Sequence, residues 1–224
     1  MHSAYPITKA RADAPKNSKW LEQDWKEAHS LKLEHFFATD HDHKPETRIK
    51  LSYTQEYLRV LFHVVDNYVI CKYNKYLDPV CRDSCVEFFV QPSETHGYFN
   101  FEINCGGTLL LYYIEDETRG TKQTFNKYEK VPWAIAKDIQ IYSTMPPLTL
   151  EEITKPTTWT IELSIPLSVF QHYIPNLSYE EGSQFRANFY KCADESSHPH
   201  WASWAPLEQK NFHQPTSFRP ILFT

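Results

Sequence analysis

Two glutamates, Glu87 and Glu102, sit in segments where every second residue is oily: Val86-Glu87-Phe88-Phe89-Val90 and Phe99-Asn100-Phe101-Glu102-Ile103-Asn104. Alternation sends Glu87 to one face of its strand and Asn100, Glu102 and Asn104 to one face of theirs. Antiparallel pairing then puts Glu87 opposite Asn100 or Glu102, because directly opposed residues point the same way. Two carboxylates about 5 Å apart have the separation of the acid and nucleophile of a retaining glycosidase. They can equally accept hydrogen bonds from neighbouring hydroxyls of a ligand they do not cut. Their mutual repulsion calls for a cation or a shared proton, and Arg186 or Lys191 supplies the cation if its strand lies alongside. Phe185, Ala187 and Phe189 alternate with Arg186, Asn188 and Tyr190, which enlarges the polar set. Such a rigid array suits sugar hydroxyls, since charge-assisted bonds contribute roughly 1.5 to 3 kcal/mol each against roughly 0.5 to 1.5 for neutral ones. The competing reading is a plain solvated sheet face.

Other constellations are less specific. His41-x-His43 and His198-x-His200 have ligand-like spacing, but each lies in an acidic or proline-bearing loop with no cysteine at ligand distance, so both read as surface pairs. No metal site is assigned from them. Cys81-x3-Cys85 is neither a redox C-x-x-C nor a zinc knuckle; Cys85 reads as a small strand residue and Cys81 as an exposed one. Trp201 and Trp204 stand three apart and face opposite ways in a strand, so they form no single platform, and Trp204 is the better core candidate.

The elements that position these residues are strands. Ile49, Leu51 and Tyr53 alternate with polar residues, as do Leu58, Val60, Phe62 and Val64 after a turn at Thr54-Gln55-Glu56. Val86–Val90 and Tyr98–Asn104 form a hairpin, and Gly106-Gly107 returns the chain into Thr108–Ile114. Thr118–Pro156 reads as long loops around one short strand near Ile139–Ser143. Trp159–Ile165, Phe185–Tyr190 and Ile221–Phe223 complete about nine or ten strands, with a helical turn through Phe170. Trp20, Leu21, Trp25 and Ala28 mark a short helix or an irregular aromatic anchor. The fold class is all-β: one antiparallel, jelly-roll-like β-sandwich domain over 19–224 behind a polar leader at 1–18.

Composition narrows the function. The 224 residues are 41% hydrophobic and 15% aromatic, ample for one core. A net charge of -5 offers no basic field for nucleic acid or anionic lipid. No stretch approaches the roughly 20 apolar residues of a membrane span, and residues 1–15 lack a signal peptide's apolar core. The five cysteines fit a reducing compartment. The expectation is a soluble cytoplasmic protein; a secreted or periplasmic form with its signal removed would read the same. Oligomeric state is not encoded in any visible pattern.

Four segments in order carry a resemblance: Asp83–Val90, Tyr98–Asn104 with Gly106-Gly107, Trp159–Pro166, and Arg186–Tyr190 with Ser203-Trp204-Ala205-Pro206 and Asn211–Phe218. Together they resemble the family 9 carbohydrate-binding modules, closest to the stand-alone branch, from about Trp20 to the end. The resemblance implies a DOMON-like sandwich that binds carbohydrate without catalysis, in the manner of xylanase-attached modules that hold a glucan or xylan end between two tryptophans, a Glu and an Arg. Carried over by position, the Glu is Glu87, the Arg falls on Glu102, one Trp falls near Val80 or Cys81 and the other on Phe212. Tyr73, Tyr76 or His213 is then the substitute aromatic, and Arg219 replaces the glycine after the final Phe. The expected ligand site is Glu87, Glu102, Asn104, Arg186, Asn188, Tyr190, Phe212, His213, Tyr73 and Tyr76. No cofactor is called for; the resemblance allows calcium, with no ligands placed. The alternatives are glycoside hydrolysis by Glu87 and Glu102, and an interaction or lipocalin-like carrier sandwich, which would present an apolar open face.

Overall fold

The computed structural model describes residues 4–11, 23–120 and 124–224, so Trp20 and Leu21 lie outside the described residues. In chain order the elements are β1 (Tyr5–Lys9), α1 (Gln23–Lys26), β2 (Ser30–Lys32), β3 (His35–Phe36), β4 (Glu46–Tyr53), β5 (Tyr57–Asp66), β6 (Val69–Cys71), β7 (Cys85–Gln91), β8 (Tyr98–Asn104), β9 (Leu109–Arg119) and β10 (Phe125–Lys130). They continue as α2 (Trp133–Ala136), β11 (Gln140–Ser143), β12 (Thr149–Ile153), β13 (Thr157–Pro166), α3 (Leu167–Tyr173), β14 (Gln184–Cys192), β15 (Trp201–Ser203) and β16 (Arg219–Phe223). Among the described residues no helix is long and apolar enough to cross a membrane.

Eleven of the strands follow one hydrogen-bonded path, β10-β9-β8-β7-β14-β16-β1-β4-β5-β13-β11, which curls into two facing layers; β2, β3 and β15 branch from it, and β6 and β12 pair separately. The fold line is β1. It pairs in parallel with β16 through Tyr5–Ile7 and in parallel with β4 through Thr8–Lys9. The polar leader expected over 1–18 therefore does not hold at Tyr5–Lys9: Tyr5 and Ile7 face the core, and the short alternation is masked by Pro6, Thr8 and Lys9. The other strand pairs of this path are antiparallel, as expected.

The oily faces meet in one core. Val86, Phe88 and Val90 of β7, Phe99, Phe101 and Ile103 of β8, and Phe185, Ala187 and Phe189 of β14 pack against Val60, Phe62, Val64, Trp159, Ile161 and Leu163 of the opposite layer. The polar faces are covered as well. On β13, Thr160, Glu162 and Ser164 are all buried, and Glu162 accepts a 2.5 Å hydrogen bond from Arg59, whose guanidinium lies 5.0 Å from the ring of the buried Trp25 in α1. Of the two readings of the Trp25 segment, the helix is the one formed.

Two stretches differ from the expectation. Thr118–Pro156 holds β10, α2, β11 and β12 rather than long loops around one strand. These strands lie at sheet margins and are half exposed, so they carry no clean oily face for alternation to reveal. In the Gly106-Gly107 turn the two glycines serve different needs. Gly107 has φ of 91°, whereas a Cβ on Gly106 would lie 2.6 Å from the Cys71 sulfur and 2.6 Å from the Pro147 carbonyl oxygen.

Candidate functional site

The register answers the question left open by the pattern: Glu87 is directly opposite Glu102. On either side of this pair the same outer-face row continues to Leu110 of β9 and Tyr190 of β14. Neither expected cation joins them. Arg186 lies toward the other end of β14 and donates to the Phe218 carbonyl at 2.8 Å. Lys191 is out of phase: with Phe185, Ala187 and Phe189 it shares the core face, and its ammonium crosses to the opposite layer to meet Asp66 at 3.1 Å.

A pocket of about 200 Å³ opens over the glutamate pair, lined by Cys81, Glu87, Glu102, Cys192, Asp194, Trp201, Lys210, Asn211, Phe212 and His213. Its floor is acidic and buried. Glu102 Oε1 accepts from Asn100 at 2.8 Å, and Glu87 Oε1 accepts from the Cys192 thiol at 3.2 Å. Glu87 Oε2 is buried and has no hydrogen-bond partner among the described residues. Burial, then the facing carboxylate, push Glu87 well above the usual range, while burial raises Glu102 to about 7. Both shifts favour the protonated carboxyl over the carboxylate.

The walls are aromatic. Phe212 stacks on Tyr190 with centroids 4.1 Å apart and planes at 11°, and the Tyr190 hydroxyl donates to the Phe212 carbonyl at 2.9 Å. His213 meets the Tyr98 hydroxyl at 2.9 Å, and burial drops its pKa to about 3, leaving it neutral. Trp201 at the start of β15 donates its indole N–H to Asp194 at 2.7 Å, and the Lys210 ammonium lies 2.8 Å from its ring centroid.

Of the expected site residues, Glu87, Glu102, Phe212 and His213 line this pocket. The others bond within the fold. Asn188 holds both the N–H and the carbonyl of Ala205, Tyr190 holds Phe212, and so both fix the loop that forms the wall. Asn104 donates to Asp83 and to the Tyr73 carbonyl, tying down the segment that carries Cys81. Tyr76 donates to the Val131 carbonyl and packs with Trp133, and Tyr73 packs beside Val80 and Cys85; neither lines the pocket. Trp201, Asp194 and Lys210 were not anticipated. The visible signal was the six-tryptophan set: Trp204 packs on the core, and its opposite phase leaves Trp201 for the outer face.

The two histidine pairs, expected on the surface, are brought together instead. His43 Nε2 lies 2.8 Å from Asp66 Oδ1, and Lys191 Nζ lies 2.6 Å from His200 Nε2, with the His41 and His198 rings 5.0 Å apart beside them. The ligand atoms of His43, Asp66 and His200 lie within 4.8 Å of one another, as do those of Cys85, Glu87 and Cys192. Neither set fits calcium, which takes six to eight oxygens. The first already encloses the Lys191 ammonium, which also donates to the Cys192 carbonyl at 3.0 Å.

A two-layer sandwich with one aromatic-walled, carboxylate-floored pocket on an outer face defines a small-ligand-binding module. The chain belongs to carbohydrate-binding family 9, whose model matches residues 21–223. It is similar to the crystal structure of a candidate carbohydrate-binding protein from Bacteroides uniformis, at 25% identity and a TM-score of 0.84 over 99% of both chains. Two family 9 modules from Caldicellulosiruptor kristjanssonii share the fold. One, in complex with glucose, has 11% identity and a TM-score of 0.65 over 99% of this chain and 96% of that one. The other, in complex with cellotriose, has 13% identity and a TM-score of 0.64 over 98% and 93%. No curated protein matches the chain.

Proposed function

We propose that the protein binds a terminal sugar of a glycan in the pocket between Trp201 and Phe212, without cleaving it. The observation that carries this is the pairing of an aromatic wall with buried, under-satisfied acceptors on the floor. Sugar rings offer the complement: C–H faces that pack on aromatics and hydroxyls that donate to Glu87 Oε2 and Glu102. At about 200 Å³ the pocket is smaller than the roughly 300 to 1,000 Å³ typical of drug-sized ligands, which suits one ring better than a run of them. Family membership and the glucose and cellotriose complexes of the two Caldicellulosiruptor modules support the same reading.

Hydrolysis fits the geometry poorly. The two carboxyls rise from adjacent strands on one floor and reach a sugar from the same side, whereas a glycosidase flanks the bond it breaks. Both pKa values are also raised, where an acid and nucleophile need environments that drive them apart. The test is calorimetric titration with glucose, cello- and xylo-oligosaccharides, with reducing-sugar release measured in parallel. Micromolar to millimolar binding that weakens about tenfold in Trp201→Ala, with no release, is expected. Sugar release abolished by Glu87→Gln would establish catalysis instead.

A further inference from the structure

Three clusters outside ordinary packing could carry more. The His43–Asp66–His200 group already holds its own cation, Lys191, and needs no other. The opposed Cys85 and Cys192 are buried thiols whose surroundings offer no oxidant. The pocket itself carries the inference, which rests on the carbohydrate reading above and names the kind of sugar.

Its charge is one-sided. Three carboxyl groups, Glu87, Glu102 and Asp194, line it against the single cation of Lys210, and His213 is neutral. The guanidinium and ammonium of β14 are both directed elsewhere, Arg186 to a backbone carbonyl and Lys191 into the core. Glu87 lines the pocket, and its Oε2 is buried and lacks a donor among the described residues. An ammonium already stands in the pocket: Lys210, an exposed residue of the wall loop, holds its Nζ over the Trp201 ring, whose indole N–H in turn is bonded to Asp194. An aromatic face beside carboxylates is the surrounding that recognises ammonium groups, and charge-assisted bonds to carboxylate are about twice as strong as those from a neutral hydroxyl.

We propose that the pocket selects a sugar bearing a free ammonium group, a 2-amino-2-deoxy hexose or a glycan ending in one, over its neutral counterpart. The ammonium sits between Glu87 and Glu102 and relieves the repulsion of two opposed carboxylates, while the ring packs on the aromatic wall after Lys210 swings outward. Where either carboxyl is protonated before binding, its proton leaves to solvent as the guest's charge arrives. Glu87, Glu102 and Asp194 are the acidic groups that face the bound cation, with Lys210 opposing it.

The experiment is titration calorimetry at neutral pH with glucosamine, glucose, N-acetylglucosamine and methylammonium, each in two buffers of different ionisation enthalpy. Glucosamine should bind about tenfold or more tightly than glucose and N-acetylglucosamine, a difference of about 1.4 kcal/mol. It should release a fraction of a proton where the neutral sugars release none. In Glu87→Gln and Glu102→Gln the glucosamine-to-glucose ratio should fall toward one, whichever way the absolute affinities move, and in Lys210→Ala it should rise. Glucose binding as tightly as glucosamine overturns the ammonium preference and leaves the carbohydrate reading intact. Methylammonium binding as tightly as glucosamine overturns the sugar class. Failure of every sugar overturns both readings.

Discussion

Two buried charge clusters lie on opposite faces of the β8-β7-β14 sheet, one around Lys191 and the other around Glu87 and Glu102, and are finished differently. On the core side, Lys191 links Asp66, His200 and the Cys192 carbonyl, and Asp66 is bonded to His43. On the outer side, Glu87 and Glu102 face each other with Asn100 and the Cys192 thiol as donors among the described residues, and the buried Glu87 Oε2 has none. Burial alone would raise the pKa of Asp66, yet Lys191, His43 and His200 together hold it below the usual carboxylate range. Burial raises both glutamates, and no cation reverses it. The closed cluster joins the two layers of the sandwich; the open one is completed only by something that enters the pocket.

The sharpest way to break this contrast is to remove one partner from the closed cluster. Lys191→Met leaves Asp66 buried without its cation and should cost about 3 to 5 kcal/mol. For a chain of this length that lowers the melting temperature by roughly 10 °C. The double variant Lys191→Met/Asp66→Asn should recover much of the loss in calorimetry; recovery of none would mean that Lys191 acts through packing alone.

Neutralising a carboxyl on the outer side should do the reverse. Glu87→Gln removes a group that desolvation penalises and should leave stability unchanged or slightly higher in urea titration, while weakening sugar binding about tenfold. A loss of more than about 1 kcal/mol would place Glu87 with the structural residues. Asp66→Asn, the matched change on the core side, should destabilise.

The smallest effect concerns pH. Because Glu102 titrates near 7 in the folded chain and near 4.5 when unfolded, the folded state binds more protons between those values. Its contribution is therefore full below pH 4.5 and is lost as pH rises toward 7. Melting temperatures of Glu102→Gln should vary less across this window than those of the parent chain. An identical profile would show that the glutamate pair is not the group that titrates.

Much of this was legible in the sequence wherever one residue's phase settles the outcome. The alternation in β4, β5, β7, β8, β13 and β14 gave the sandwich, and the two-residue period placed Glu87 and Glu102 on one face. The same parity places Lys191 with Phe189 on the core face, so its rejection as a counter-ion was readable. Contacts between distant loops were not. His41 and His198 are 157 residues apart, and no local pattern says that their loops meet. Likewise Trp201, Asp194 and Lys210 depend on how the loops around β15 lie over the sheet. The polar faces misled in one respect: they look solvated by composition, but α1 and the loop before β16 cover them, and Arg59, Asn188 and Tyr190 find partners within the fold while Glu87 Oε2 does not.

The fold line at β1 has a bearing on how the protein is made. Its first residues pair with β16, more than 200 positions later. At a synthesis rate of roughly 5 to 20 residues per second, the nascent first strand waits about 10 to 40 s for its last neighbour. Through that interval it is an open template for any passing strand. Pro6 in β1 and Pro220 in β16 lack the amide hydrogen that such pairing needs, so the two latest-joining edges carry their own guard against being joined by the wrong chain.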